Sequence, residues 1–242
     1  METMSRRDFI ARSLTVAGGA SLLGLPTLAT AQPAMTKAGR IPPGQQQVMP
    51  LPYPTDAVRG MSAEQLGWHH DRHYSAYVKN RNEIEQQLAG MDPAAPGFDA
   101  KLYGGLKRQL GFNVCGQILH ECFFTVLGGD GQFAAGSPIA AAIQRDFGGP
   151  EKWQADLRAT ATAAGVGWGV TCYDPSAGRL VNYLVELHQL GAVWTAIPII
   201  ALDGWEHAYY HDFGPDKNKY FDVFFQNLNW GRIGQLYQGA VG

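Results

Sequence analysis

From Ser62 onward the apolar positions recur first with the period of helices and later with that of strands. Ser62-Ala63-Glu64-Gln65 reads as a capping box, and the pattern it opens predicts one long helix through Leu88, closed by Gly90. A second helix is predicted over 101–127, then two shorter ones over 139–147 and 150–163. Beyond them the alternation becomes twofold, over 167–173, 180–187 and 197–202, with a turn at Asp174-Pro175-Ser176-Ala177-Gly178 between the first two runs. Three short strands make a small antiparallel sheet. The chain returns to helix from Asp203 and ends in helical pieces around 220–237, while Gly128-Gly129-Asp130-Gly131 marks the seam between two halves. The fold class is therefore α+β, an N-terminal long α-hairpin over 48–130 and a C-terminal α/β half over 137–242 with a three-stranded antiparallel sheet.

Upstream the pattern is of another kind. Ser5-Arg6-Arg7-Asp8-Phe9-Ile10 precedes an apolar, Gly/Ala-rich stretch over 14–28, and Ala29-Thr30-Ala31 offers a small-residue cleavage site. Residues 1–31 thus resemble a twin-arginine signal peptide, which implies the twin-arginine export machinery as a partner and a periplasmic or secreted protein exported folded. The stretch falls short of the ~20 apolar residues of a membrane span and is diluted by Gly18, Gly19, Gly24 and Pro26, so no stable membrane anchor is expected after cleavage. Residues 32–47 read as a flexible leader, and the Pro, Gly and Gln of 32–54 show no apolar period with which to bury the segment; structure is expected to begin near Met61.

Composition narrows the chemistry. With 45% hydrophobic and 17% charged residues the chain is globular, and 19 Lys plus Arg against 21 Asp plus Glu leave no basic excess for a nucleic-acid partner. Three cysteines make no disulfide framework, and Cys115 and Cys122, seven apart on one helix, are too far apart to be bridged. Neither a Gly-x-Ser-x-Gly elbow nor a phosphate-cradling glycine loop is present.

The candidate chemistry lies in histidines. His69, His73 and Tyr77 share one helical face at i, i+4, i+8; His120 sits in the second helix among Ile118, Leu119, Phe123 and Phe124; Asp203 and His207 stand at i, i+4 where a strand passes into a helix. Taken singly, each has a plain reading as surface histidine, core histidine or salt bridge. Together, three histidines and a carboxylate on three separate elements can converge on one ion, and a mixed nitrogen and oxygen set with a position left for solvent suits iron or manganese. A two-histidine, one-carboxylate oxygenase needs a second open position, which the third histidine here takes.

Asp203-Gly204-Trp205-Glu206-His207-Ala208-Tyr209-Tyr210 resembles the Asp-x-Trp-Glu-His-Ala-Tyr-Tyr signature of the iron/manganese superoxide dismutase family. The likeness also runs through Leu51-Pro52-Tyr53, His69-His70-Asp71-Arg72-His73, Phe112-Asn113, Arg145-Asp146-Phe147-Gly148, Gly167-Trp168-Gly169 and Asn229-Trp230. It implies a metal held between the two halves, one Fe or Mn ion per subunit, cycling by one electron to convert two superoxide anions to O₂ and H₂O₂. It makes His69, His120, Asp203 and His207 the ligands, His73 and Tyr77 the pair at the substrate entrance, and Arg72 and Lys217 cations that steer the anion. Glu206 matches the carboxylate that reaches a partner's ligand histidine, implying a homodimer or a higher oligomer, and Trp168 and Trp205 match residues that support the ligands. The resemblance also implies a His or Gln that holds the solvent beside the ion, a position that His188, fifteen before Asp203, matches, with Gln189 as fallback. Gly116 stands in the second helix where some members have Gln, and leaves room for a side chain from the strand region. The chain departs from the family pattern at Leu119, Phe124, Val170, Gly204 and Phe225, which opens the aromatic shell; the alternative function is a metal-binding protein of dismutase fold with weak or no dismutase activity.

Overall fold

In the computed structural model, which describes residues 39–242, Ser62 caps α1 (Ala63–Gly67) by accepting a hydrogen bond from the Gln65 N–H. The reciprocal arm of the capping box does not form, because the Ser62 N–H donates to Asp212 and the Gln65 amide is drawn to the carbonyl of His207. The one long helix expected through Leu88 is interrupted as well. Trp68–Tyr74 is wound as a π-helix, with the Ser75 N–H bonded back to the His70 carbonyl, before α2 (Ser75–Ala89) restores the tighter pitch. Such segments are frequent at functional sites, and this one carries His69, His70 and His73.

Capped by Asp99, α3 (Ala100–Val126) runs back along α2, so that Tyr74 Oη donates to Glu121 and Arg81 donates to Gln117 across the hairpin. Ser137 then caps α4 (Pro138–Phe147), which ends at Gly148 in the left-handed conformation, φ 81°. After α5 (Pro150–Ala163) come β1 (Gly167–Asp174), β2 (Arg179–Glu186) and β3 (Ile197–Asp203), in the order β2-β1-β3 with both pairings antiparallel. The register sets Trp168 opposite Asp203 at the end of the sheet.

The helix expected to start at Asp203 does not. Asp203 is the last residue of β3, and only a 3₁₀ turn (Glu206–Ala208) and a short α6 (Tyr210–Phe213) follow before α7 (Lys217–Gln226) and α8 (Trp230–Val241). One apolar core joins the hairpin to the sheet, with Leu66, Tyr74, Phe123, Phe124, Trp168 and Ile200 all but fully buried.

The segment before α1 is extended, as expected, but it is not without partners. The Gly44 N–H donates to Glu85, Gln46 exchanges hydrogen bonds with Asn82, the Met49 N–H donates to Tyr74 Oη, and Val58 is buried. Polar side chains of Tyr74 and α2 dock its first part, and Met49, Leu51, Tyr53 and Val58 pack on the core. The expected signal over 1–31, and the leader as far as 38, lie outside the described residues. Among the described residues no helix is long and apolar enough to cross a membrane.

Candidate metal centre

One donor atom from each of His69, His120, Asp203 and His207 lies within 4.8 Å of the others. The π segment supplies His69, α3 supplies His120, the end of β3 supplies Asp203, and the 3₁₀ turn supplies His207. Asp203 is the hub: its Oδ2 is 3.2 Å from His69 Nε2, 3.1 Å from His207 Nε2 and 3.8 Å from His120 Nε2. Its other oxygen accepts from the Trp205 N–H at 2.9 Å, which turns Oδ2 toward the histidines.

The donors are prepared for a cation. His120 Nδ1 donates to the Gly116 carbonyl at 2.6 Å, so its lone pair sits on Nε2 within the cluster. That atom, and both ring nitrogens of His69, are buried with no hydrogen-bond partner. Buried nitrogens are rarely left so, and an ion among the four donors would satisfy Nε2 of His120 and Nε2 of His69, while His69 Nδ1 points away from the cluster. Burial holds His69 neutral down to about 4 and His120 well below its usual range, so protons do not compete for the lone pairs at neutral pH. Although burial opposes it, the Asp203 carboxyl is kept well below the carboxylate range by His207 and His69 and stays anionic. His70, in contrast, has both nitrogens engaged, with Asp71 at 2.6 Å and the Met49 carbonyl at 2.8 Å.

A second layer surrounds these four. Trp168 Nε1 donates to His188 Nδ1 at 3.0 Å, and His188 Nε2 meets Tyr77 Oη at 2.6 Å. Trp205 stacks on His188 at 5.3 Å between ring centroids, and Phe112 lies at 4.6 Å. Gln189 accepts only from the His188 backbone N–H, at 3.3 Å. The space over Gly116 is filled by the Tyr77 ring: a Cβ there would stand 2.7 Å from it, so the glycine makes room for Tyr77 rather than for His188 directly. Leu119 and Val170 help line a cavity of about 200 Å³ that reaches His188. Gly204 is a site of close approach, since a Cβ would fall 2.7 Å from the Gly167 carbonyl.

Toward solvent a cavity of about 450 Å³ leads to His69 and His207 between Trp68, Arg72, His73 and Glu206. Lys217 does not line this cavity but stays close to the cluster, its Nζ beside Gly204 and under the charges of Asp203 and Glu206. Its Nζ donates to the Gly165 carbonyl at 2.9 Å beside Phe221, a consequence of its place at the start of α7.

Family models match this arrangement along the chain: the alpha-hairpin domain of iron/manganese superoxide dismutases over residues 45–128, and their C-terminal domain over residues 135–236. The chain belongs to the iron/manganese superoxide dismutase family. It is 38% identical over 198 residues to a manganese superoxide dismutase of Halobacterium salinarum, covering 81% of this chain and 97% of that protein. A manganese superoxide dismutase of Haloferax volcanii is 39% identical over 194 residues, 79% of this chain and 95% of that one. To an iron superoxide dismutase of Cupriavidus metallidurans the identity is 36% over 198 residues, 81% of this chain and 98% of that one. Relatives named for either metal are thus similar to this dismutase-family chain to nearly the same degree.

One residue at this site escaped the sequence. Gln65, read only as part of a capping box, is buried against the turn of His207. Its sequence signal was a polar residue at an inward helical position, four before His69.

Proposed function

We propose that the chain converts two superoxide anions to O₂ and H₂O₂ with one iron or manganese ion held by His69, His120, Asp203 and His207. The observation that carries this reading is the set of buried, unpartnered imidazole nitrogens gathered around Asp203 Oδ2, in a chain of this family. When bound, the ion supplies a one-electron couple, by which one superoxide is oxidised to O₂ and a second is reduced, with two protons, to H₂O₂.

The chain's own residues govern access and protons. Arg72 at the mouth of the cavity gives the anion a local positive charge that the formal net charge of −2 does not. Because Trp168 donates to His188 Nδ1, a neutral His188 carries its proton on Nε2 and donates it to Tyr77 Oη. The Tyr77 hydroxyl proton is then free for a third partner. Burial, reinforced by the Asp203 charge, raises the Tyr77 pKa, so the phenol remains a donor. His73, its ring 5.1 Å from that of Tyr77 and 3.6 Å from that of His207, lines the approach.

Glu206 is exposed beside His207 on the rim, with Trp68 and Tyr210 also exposed there, a surface that a second copy would cover in a homodimer. Export by the twin-arginine route to the periplasm or beyond rests on the motif at 5–10. Superoxide loss measured beside metal analysis, on protein reconstituted separately with iron and with manganese, tests the function. Full metal with no superoxide loss would favour the alternative of a metal-binding dismutase fold, for which Leu119 and Val170 are the motive.

A further inference from the structure

The turn that carries His207 has little regular structure of its own, three residues of 3₁₀ helix and four of α6. Its fixation comes from a distant part of the chain. Gln65, 2% exposed, donates from Nε2 to the His207 carbonyl at 2.7 Å and accepts at Oε1 from the His211 N–H at 3.2 Å. One amide thus grips both ends of the turn, and its donor is on the peptide of His207 itself. Gln65 also stands one helical turn before His69, so the segment that carries one histidine of the cluster holds the backbone of another.

We infer that Gln65 is a positioning residue for His207, fixing its peptide so that Nε2 stays 3.1 Å from Asp203 Oδ2. The inference rests on the reading of His207 as a ligand. The same seam has a second link, the N–H and hydroxyl of Ser62 donating to Asp212 at 2.6 and 2.8 Å. That link ties the same two segments without touching a member of the cluster, and so separates positioning from general cohesion.

The test uses full-length protein loaded with manganese or iron, as wild type, Gln65→Met and Asp212→Ala. Three quantities are followed below the melting range: release of the ion to excess chelator, the visible spectrum of the bound ion, and far-UV circular dichroism with the unfolding midpoint. Gln65→Met, close in volume but without the amide, should release the ion about tenfold faster and shift the visible spectrum while keeping its helical content. Asp212→Ala should lower the unfolding midpoint yet release the ion at the wild-type rate. Wild-type release and spectrum in Gln65→Met would overturn the inference, and so would equal acceleration in Asp212→Ala. Should Gln65→Met not fold, Gln65→Asn, one methylene too short to reach both partners, carries the same expectation and the same refutation. A wild type that retains no ion would overturn the ligand assignment itself, and this inference with it.

Discussion

Asp203 illustrates how two oxygens of one carboxylate acquire different tasks: Trp205 occupies Oδ1, and Oδ2 is left to three imidazoles. Residue type and spacing made the histidines and Asp203 legible as a possible set, whereas the side to which each donor atom faces depends on partners such as the Gly116 carbonyl. Asp203→Ala and His120→Ala should each abolish metal retention and leave most of the helical content, as judged by metal stoichiometry and far-UV circular dichroism. A stoichiometry near one in either variant would mean that the ligands are wrongly assigned. At His188 both ring nitrogens are engaged, by Trp168 and by Tyr77, while Gln189 meets only a neighbouring backbone N–H. His188→Ala should therefore keep the ion but lose about a hundredfold in dismutase rate, since His188 holds the Tyr77 hydroxyl that serves as the positioned proton donor. Gln189→Ala should stay near wild type; the reverse ranking in parallel assays would transfer the role to Gln189.

Among the elements, boundaries of the helices over 100–163 and of the three strands were readable to within a residue or two, because caps and periodicity are local. The C-terminal helices extend three to four residues beyond the expected 220–237. The second predicted helix, over 101–127, appears as α3 (Ala100–Val126), and the strands differ by no more than that margin. The π winding at Trp68–Tyr74 was not readable, since its sequence also fits an α-helix. Between α4 and β2, Asp146 accepts from Arg145 and from the Leu180 N–H at 2.8 Å. Burial pushes its carboxyl up, but those hydrogen bonds and the Arg145 charge outweigh burial and hold it below the usual range. A carboxyl depressed in the folded state contributes stability that is present above its unfolded pKa of about 3.9 and is lost as pH falls through the folded value. Asp146→Asn should lower stability at pH 7 and flatten its fall on acidification below about pH 4. Urea unfolding of both proteins across that range reads the difference, and parallel curves would show that Asp146 carries none of the acid sensitivity.

For the whole molecule, the cluster exists only where the hairpin meets the sheet, since His69 and His120 come from the former and Asp203 and His207 from the region of the latter. A homodimer would extend that logic by one subunit, with Glu206 reaching the partner subunit's His207. Removing one member of a buried charged pair typically costs about 3 to 5 kcal/mol, so Glu206→Ala should weaken both association and metal affinity. Sedimentation against concentration, with metal analysis, measures both effects. A wild type that sediments as a monomer at micromolar concentration would leave Glu206 without the partner this reading requires.

What the chain revealed unaided was whatever is encoded over a few residues: helical and strand periods, the Ser62 cap, the Gly128-Gly129-Asp130-Gly131 seam, and the residue types able to ligate an ion. Tertiary structure decided what depends on contacts between distant segments. It docked residues 44–49 on α2 and Tyr74, placed the Tyr77 ring over Gly116, and tied Lys217 to the Gly165 carbonyl. It also took Gln65 out of a local capping box and set it against His207, 142 positions later. The physical reason is one of competition: a local hydrogen bond survives only when no better-placed partner arrives with the fold, and the arrival of such partners is not written in the spacing of neighbouring residues.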